Sequence, residues 1–589
     1  MMDTALVNTA LGKKPADLVI RGGRLVNVFS GEIYQADVAV SGGRVAAIGT
    51  LPDGITGPST RVIDAAGKFV VPGFIDAHIH VESSMLSYTE FCKLAVKHGT
   101  TAVATDLMEV TIVSGIEGMK EILREAESLP IKLFYPVPSF MEEETGLQTI
   151  GSTLRTEYIE ELLALPQAVG LAETLAPPIL AGSPASAHVI AAAEALRKTV
   201  EGHAPALTGD ALNAYAGSGV TSDHESTGRE EALAKLRSGL RVLMREGSAS
   251  TDLAECLRIL TEDKVSSRRC SMISDDVDAL HLSRLGHMDH KVRMAIRAGI
   301  PPVEAIQMVT LNPAESLRID GRCGSVAPGR DADIVLLSSL EDCAVDTVIA
   351  RGEIIVEQGA LVKTFPKTAY SPVLLNTIKL LRPVAAGDMA IRVRDPAKKQ
   401  ARVHVIGASG ATLLTRAETA VLPVADGEIQ ADVSADVLRI ACVERYGKNG
   451  NIGRSFVRGF GFRDGAIAIS VGHDHHNITV AGIDASDMAL AVNRVAALDG
   501  GFVLVQDHKV AAEIALPVCG LLSTEDGEKV ADTLEKIRDM LKAAGCTVSS
   551  PNVTLSFIPL IYIPELAITD YGLFDVRQFK IIDPIMELL

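Results

Sequence analysis

The sequence predicts a multidomain α/β protein. A (β/α)8 barrel is flanked by a small β-sandwich domain built from two separated segments, and a C-terminal α+β domain follows. Three observations predict this fold class. Short strand-like runs fill residues 17–72, and a related pattern returns at 331–363. Between them, apolar runs alternate with helical stretches over about 250 residues, the usual size of such a barrel. From about residue 370 the pattern changes again, to many short strands and one late helix.

The two β segments are indicated by their turns. Glycine pairs at 22–23 and 42–43 separate alternating apolar runs, which is a hairpin signal. Two β segments far apart in the chain can pair into one domain around an insertion. We therefore expect four regions. They are an N-terminal part of the sandwich (1–72), the barrel (73–324), the return segment of the sandwich (325–368) and the C-terminal domain (369–589).

The barrel prediction depends on eight apolar runs that resemble buried parallel strands and are separated by helical stretches such as "YTEFCKLAVKHG". The runs lie at residues 69–80, 100–106, 131–139, 168–174, 199–204, 219–225, 240–248 and 269–276.

Composition excludes several classes of protein. The net charge of -18 over 589 residues argues against a nucleic-acid partner, because a nucleic-acid groove needs clustered Lys and Arg. None of the eight cysteines forms a C-x-x-C pair, so a thiolate metal site is not expected, and scattered single cysteines fit a reducing cytosol. No signal-peptide pattern opens the chain, and the late apolar run 553–568 is interrupted by prolines and is too short to span a bilayer. We expect a cytoplasmic protein without a membrane partner.

Two histidines, His78 and His80, follow the first predicted barrel strand. Residues i and i+2 of a strand point to the same side, so both imidazoles should project together from the carboxyl end of the strand, the catalytic face of a barrel. Two neutral imidazoles suit a divalent cation. On its own, however, the pair is equally well explained as surface or hydrogen-bonded histidines.

Four further metal-capable side chains stand at the ends of other predicted strands. Glu173 ends the fourth strand, His203 the fifth, His224 the sixth and Asp275 the eighth. Any one of them alone is more often structural than a ligand. Six such residues at the ends of five of the eight predicted strands are hard to explain by coincidence, and together they predict a metal centre at the barrel mouth.

These residues carry a family resemblance. The order H-x-H, carboxylate, His, His, Asp on successive strands resembles the amidohydrolase superfamily, as do "VVPGFIDAHIH", "AIQMVTLNPAESLRI" and "GSVAPGRDADIVLL". Many members of that superfamily have a carboxylated lysine at the fourth strand, where this chain has Glu173. That departure, with "HIHVESS", "SDHES", "ISDD", "GHMDHKVRMAIRAG" and "HDHHN", resembles the bacterial adenine deaminase family over nearly the whole chain.

The resemblance implies two divalent metal ions per chain. Glu173 would bridge them, with His78, His80 and Asp275 completing one shell and His203 and His224 the other. Two such ions lower the pKa of a shared water and orient it. Nitrogen and oxygen ligands suit Mn²⁺, Fe²⁺ or Zn²⁺, and the resemblance favours manganese or iron.

The resemblance also implies a reaction, the hydrolytic deamination of adenine to hypoxanthine and ammonia in purine salvage. A bridging hydroxide would attack C6, and Asp275 would pass the proton to the leaving amine. Protonation of the ring nitrogen N1 would activate C6, and Glu82 and Glu225 are the candidates for it. Both could instead orient a histidine. Members of the superfamily are commonly homo-oligomers, which suggests a homodimer.

A dense polar cluster lies in the C-terminal region, at His473, Asp474, His475 and His476. One interpretation is that this domain leans over the barrel mouth and supplies substrate contacts or an additional metal. The other is a polar turn or an interface between chains.

Other functions stay open at this point. The protein could act on a different aminopurine, or it could be a cyclic-amide hydrolase of the dihydroorotase or hydantoinase kind, although those usually depend on the lysine that "VGLAET" lacks. A catalytically silent assembly protein is the alternative outside enzymes, but such relatives lose the ligands that this chain retains.

Overall fold

The computed structural model describes residues 3–139, 146–154, 156–395, 397–408 and 414–589, with the backbone alone at 156 and 157. The chain opens with a short helix and a group of strands. Asp3 caps the helix by accepting a hydrogen bond from the backbone N–H of Leu6. The elements are α1 (Thr4–Ala10), β1 (Leu18–Asn27), β2 (Glu32–Ser41), β3 (Arg44–Gly49), β4 (Arg61–Asp64) and β5 (Phe69–Pro72).

Eight parallel strands form the barrel, in the sequence order of the chain. They are β6 (Phe74–Asp76), β7 (Thr100–Ala104), β8 (Lys132–Pro138), β9 (Ala168–Leu175), β10 (Thr199–His203), β11 (Ser222–Asp223), β12 (Arg241–Arg245) and β13 (Cys270–Ile273). Each falls within one of the eight predicted runs, except that β9 extends one residue beyond the fourth run. Between the first and last strands the pairing is limited to a bridge from Ile79 to Asp275, so the two groups of site residues on these strands are held side by side.

The first predicted run is two strands and not one. Residues 69–72 form β5, which pairs with β1 and β14 (Ile334–Ser339) outside the barrel, whereas 74–76 form β6 inside it. Gly73 lies between them, and a Cβ atom there would approach the hydroxyl oxygen of Thr101 to 2.1 Å. The chain can pass from one sheet to the other at this point because glycine allows the close approach.

Helices surround the barrel and connect its strands. They are α2 (Tyr88–Lys97), α3 (Met108–Glu127), α4 (Thr156–Leu163), α5 (Ala176–Leu180), α6 (Pro184–Ala195), α7 (Gly209–Ala216), α8 (Arg229–Arg237), α9 (Leu253–Cys256), α10 (Arg258–Thr261), α11 (Ala279–Arg284), α12 (Met288–Arg297), α13 (Pro302–Gln307) and α14 (Leu311–Ser316).

The two separated β segments join in one sheet, which confirms the composite architecture predicted from the sequence. The return segment supplies β14, β15 (Ala344–Ala350), β16 (Glu353–Glu357) and β17 (Ala360–Leu361). The order of the nine-stranded sheet is β17-β16-β15-β14-β5-β1-β2-β3, with β4 paired to β1. Side chains of both segments share a core that includes Ile20, Val38, Ile334 and Ile349.

The C-terminal region is an α+β domain. Its large sheet contains β18 (Gln400–Gly407), β19 (Arg416–Ala425), β20 (Glu428–Ile429), β21 (Val437–Val443), β22 (Ile452–Arg458), β23 (Ala466–Ile469), β24 (Ile478–Gly482), β25 (Gly501–Gln506), β26 (Lys509–Ala515) and β30 (Ile585–Leu588). A second sheet contains β27 (Leu566–Thr569), β28 (Gly572–Asp575) and β29 (Lys580–Ile582), and the helices are α15 (Ala485–Ala497), α16 (Gly527–Ala543) and α17 (Pro551–Phe557).

This domain is docked on the barrel by backbone and buried polar contacts. The N–H of Ser87 donates to the carbonyl of Ser523 at 2.8 Å, and the N–H of Ser523 donates to the carbonyl of Met85 at the same distance. The side-chain amide of Asn477 donates to the carbonyl of Thr149 at 2.9 Å. These bonds fix the loop between β23 and β24 close to the carboxyl ends of the barrel strands. Among the described helices, none combines the length and apolar character needed to cross a bilayer.

A buried ion pair joins the barrel to the composite β-domain. Lys132 at the start of β8 contacts Asp333, and its Nζ lies 3.5 Å from Asp331. We predict that Lys132→Met lowers stability by about 3–5 kcal/mol, because it leaves Asp333 buried without its cation. The measurement is the shift of the barrel transition in differential scanning calorimetry. As the control, Lys363→Met removes an exposed ion pair to Glu353 in the same domain and should change stability by less than about 1 kcal/mol. Equal shifts would contradict the prediction.

Candidate metal centre and active site

The structure brings together the six side chains that the sequence singled out at the carboxyl ends of the strands. Glu173 lies in the middle. Its Oε1 is 3.5 Å from His78 Nε2, 3.4 Å from His80 Nε2 and 3.5 Å from His224 Nε2, and its Oε2 is 2.6 Å from His203 Nδ1. One carboxylate is therefore shared by four imidazoles.

Asp275 closes the arrangement on the side of the two first-strand histidines. Its Oδ1 lies 3.3 Å from His78 Nε2 and 3.6 Å from His80 Nε2. Both carboxylate residues have left-handed backbones, with φ of 50° at Glu173 and 60° at Asp275. Such conformations cost about 1–3 kcal/mol each outside glycine, and they turn the side chain sharply where a strand ends. The strained backbone thus aims both carboxylates at the histidines.

The donor set fits divalent metal. Three groupings of buried donors lie close enough to hold an ion: His78 with His80 and Asp275, His78 with Glu173 and His224, and His203 with His224 and Glu225. His78 Nε2 and His203 Nδ1 are buried without a hydrogen-bond partner among the described residues. Burial lowers the pKa of His78, but the neighbouring carboxylates, above all Glu201, outweigh it and raise the pKa to about 10. The carboxylates around these imidazoles thus favour positive charge, which divalent metal ions bound to neutral imidazoles would supply.

Glu201 orients two of these histidines and was missed in the sequence. Its Oε1 lies 2.6 Å from His78 Nδ1 and 3.3 Å from His224 Nδ1, so both rings turn their Nε2 atoms toward Glu173. The two rings are stacked with centroids 4.0 Å apart. A signal was present, because Glu201 stands two residues before His203 on the same strand and must share its side.

Arg245, at the end of β12, is a second residue that the sequence analysis missed. Its Nη1 lies 2.6 Å from Glu225 and 3.2 Å from Asp275, and its Nη2 is 2.9 Å from Asp252. Although burial raises it, the pKa of Glu225 is held well below its usual value by the Arg245 guanidinium. The arginine therefore keeps two carboxylates of the site ionised.

A cavity of about 200 Å³ opens beside Glu173, Glu225 and Asp275. The opposite wall comes from the C-terminal domain and includes His473, Asp474 and Phe557. These carboxylates thus face a small space closed by a second domain, a setting typical of small-molecule sites.

Comparisons with known proteins identify the same family that the strand-end motifs resemble. Residues 69–355 match the family model "Amidohydrolase family", and residues 412–580 match "Adenine deaminase C-terminal domain". Adenine deaminase from Moorella thermoacetica is 41% identical over 98% of this chain and 97% of its own. Adenine deaminase from Dehalococcoides mccartyi is 39% identical over 98% of both chains. "Adenine deaminase 3" from Rhizobium meliloti is 40% identical over 98% of this chain and 97% of its own.

The chain belongs to the adenine deaminase family. The resemblance predicted from the strand-end motifs is thereby confirmed, including the C-terminal domain that carries the "HDHHN" stretch. Membership of an amidohydrolase family implies a divalent metal centre, and the grouped His, Asp and Glu donors are its candidates.

Two of the four residues singled out in the C-terminal cluster accept hydrogen bonds from backbone groups of their own turn. His475 is buried beside Cys442, and its Nδ1 accepts a hydrogen bond from the backbone N–H of Asn477 at 3.0 Å. The Nδ1 of His476 accepts one from the N–H of Gly472 at 3.2 Å. Neither is among the described residues that line the cavity, whereas His473 and Asp474 are. His475 and His476 therefore stabilise the turn through these hydrogen bonds.

The two candidates for ring protonation also differ in position. Glu225 lines the cavity, but Glu82 does not and lies in a buried 3-10 helix, where Tyr88 donates to it at 3.1 Å. Burial raises the pKa of Glu82 to about 8. Glu82 lies instead beside Asp106 and Glu109, two buried carboxylates behind His80 that the sequence analysis missed.

We predict that Glu201→Gln keeps the fold but weakens metal binding about 10–100-fold, because the amide no longer holds both Nδ1–H groups. The measurement is the concentration of chelator that removes half of the metal. The control, Glu90→Gln, changes a buried carboxylate on α2 that contacts Lys93 and not the site histidines. Metal retention equal to that of the unmodified protein would contradict an orienting role for Glu201.

Proposed function

We propose that this protein hydrolyses adenine to hypoxanthine and ammonia. The observation that carries the proposal is the Glu173 carboxylate, shared by four imidazoles and facing a cavity, in a chain about 40% identical to adenine deaminases along nearly its full length. Glutamate in place of a carboxylated lysine separates this site from the cyclic-amide hydrolases considered above.

We assign the metal centre to two divalent ions, with manganese or iron preferred and zinc as the alternative. Glu173 would contact both; His78, His80 and Asp275 would hold one, and His203 and His224 the other. When bound, such ions make water a stronger nucleophile at neutral pH and neutralise developing charge.

The proton transfers are assigned to two carboxylates. Glu225 accepts the first proton of the attacking water and delivers it to N1 of the purine, so that the oxygen adds to C6. Asp275 accepts the remaining proton from that oxygen and gives it to the exocyclic amine, and the C6–N bond breaks to release ammonia. Both residues must start as bases, and the Arg245 guanidinium that contacts them keeps them so.

The far edge of the purine is assigned to the C-terminal domain. Asp474 faces the cavity, and burial raises its pKa to about 7, so its carboxyl group can donate a hydrogen bond to a ring nitrogen. Phe557 offers an apolar ring on the same wall. Of the four residues singled out there, Asp474 is the one we assign to substrate.

A cytoplasmic location, a role in purine salvage and a homodimeric assembly complete the proposal. The net charge of -18 supports a small-molecule substrate over nucleic acid.

The test of the function is the loss of adenine absorbance on mixing with manganese-loaded protein, with hypoxanthine and ammonia identified as products. Dihydroorotate, hydantoin and other 6-aminopurines are assayed in parallel. Turnover of adenine above all of these is expected. Turnover of a cyclic amide with no action on adenine would overturn the proposal, and inactivity of fully metal-loaded protein on every substrate would favour an assembly role.

We predict that Asp275→Asn is folded but has kcat for adenine lowered about 10²–10⁴-fold, because asparagine keeps the shape and an oxygen but cannot carry a proton. Steady-state kinetics on protein of matched metal content is the measurement. Asp278→Asn, three residues on and paired with Arg538 outside the cavity, is the control for a nearby loss of charge. A kcat within a few-fold of the unmodified protein would remove Asp275 from proton transfer.

We predict that Asp474→Asn raises KM for adenine about tenfold or more, because the ring nitrogen loses its matched partner. The control is Asp464→Asn, an exposed position in the same domain. His475→Ala, whose side chain accepts a hydrogen bond from the backbone of its own turn, should change KM less than Asp474→Asn when the protein remains folded. An unchanged KM in Asp474→Asn would remove the C-terminal domain from substrate binding through this residue.

A further inference from the structure

A second set of buried charged groups lies behind His80, at the junction of the barrel and the C-terminal domain. We name it the Glu109 cluster, and its members are Glu82, Asp106, Glu109 and His473. Glu109 Oε1 lies 3.3 Å from His473 Nδ1 and 3.3 Å from His80 Nδ1. Asp106 Oδ1 is 3.5 Å from His80 Nδ1. The cluster therefore faces the side of His80 that is turned away from Glu173.

These groups are withdrawn from bulk water. Glu82 and Glu109 are 0% exposed, Asp106 is 2% exposed and His473 is 4% exposed. Burying an ionised carboxylate is costly unless it is paired or binds a metal ion. Three buried carboxylates this close together need positive charge or hydrogen-bond donors beside them.

No Lys or Arg supplies that compensation within the described part of the chain. Among the described residues, Asp106 forms an ion pair with His80, and Glu109 forms ion pairs with His80 and His473. Glu82 forms none with them. Arg245, which contacts Glu225 and Asp275, serves the other side of the metal centre. Among the residues that the structure describes, the only positive charge available to the cluster would come from protonated imidazoles.

A metal ion bound at Glu173 would remove the positive charge of one of these imidazoles, His80. His80 Nε2 points to Glu173 and Asp275, and an imidazole that binds a metal through Nε2 is neutral. It then offers the cluster a single N–H. The three carboxylates then share four donors: this N–H, His473, the Tyr88 hydroxyl and the backbone N–H of Met108.

Several ligand atoms of the cluster are unpartnered, which is the independent sign of an ion. Within the described part of the chain, both carboxylate oxygens of Glu109, Oδ2 of Asp106 and Oε2 of Glu82 are buried without a hydrogen bond. The carboxylates of Asp106 and Glu109 belong to one of the groupings close enough to hold a metal, with His80 beside them as an N–H donor. Glu109 and His473 also border the cavity, which gives an ion a route in.

We propose that the Glu109 cluster binds a further divalent cation, separate from the pair at Glu173. Its ligands would be Glu109, Asp106 and His473, with Glu82 beside them. Carboxylate oxygens with one imidazole suit Mn²⁺, Fe²⁺ or Mg²⁺. Because Asp106 and Glu109 belong to the barrel and His473 to the C-terminal domain, the ion would tie the two domains together across the substrate cavity. This inference goes beyond the proposed reaction.

The test is a crystal of the full-length protein grown with Mn²⁺, with anomalous scattering recorded at the manganese edge and metal content measured on the same preparation. We expect a peak at Glu109 and Asp106 in addition to those at Glu173, and about one more ion per chain than the metal centre holds. Glu109→Gln should lose the additional peak and that ion. The control, Glu125→Gln, alters a buried carboxylate on the same helix that is bonded to Thr89 and Tyr370, and should keep both.

Two results would overturn the proposal. One is a loaded metal centre with no anomalous peak at the cluster, which would mean that protons or water compensate the carboxylates. The other is an additional peak that persists unchanged in Glu109→Gln. The first result comes from the unmodified protein, so the proposal stays testable if Glu109→Gln does not fold. Neither result depends on turnover, so failure here is distinct from failure of the adenine assay.

Discussion

The carboxylate of Glu173 is the constraint on which the rest of the site depends. Four imidazoles from three other strand ends converge on it, at 2.6 Å for His203 and about 3.5 Å for the rest. A barrel suits this convergence because the carboxyl ends of its strands surround one point. A single bridging carboxylate must, however, be placed accurately. The left-handed backbone at Glu173, and again at Asp275, turns these side chains inward at a cost that the surrounding fold supports.

Around that centre, each group is held by a partner of its own. Glu201 fixes the rings of His78 and His224, and Arg245 holds Glu225 and Asp275 as carboxylates. The C-terminal domain closes the cavity and brings His473 against Glu109 of the barrel. Fold and chemistry are thus linked, because the same contacts that dock the domains also complete the charge balance of the site.

The parts of the fold and of the site that could be predicted from the sequence follow the regular alternation of strands and helices. Eight apolar runs give eight strands, and ligand-type residues at strand ends meet because parallel strands end on one face. The division of residues 69–80 between two sheets was missed, because an apolar run does not show which sheet each half joins. Asp106, Glu109 and Arg245 were missed because their roles depend on contacts between distant segments. In "HDHHN", the composition indicated a polar site. Only the folded turn shows that His475 and His476 accept hydrogen bonds from its own backbone, whereas Asp474 lines the cavity.

The most direct test of this account is the metal content of Glu173→Gln, measured by mass spectrometry after loading with Mn²⁺ and desalting. Circular dichroism and gel filtration show whether the variant is folded. An amide cannot bridge two cations as a carboxylate does, so the account predicts that the folded variant holds about two fewer ions per chain than the unmodified protein. A folded variant with the metal content of the unmodified protein would contradict the central place given to Glu173.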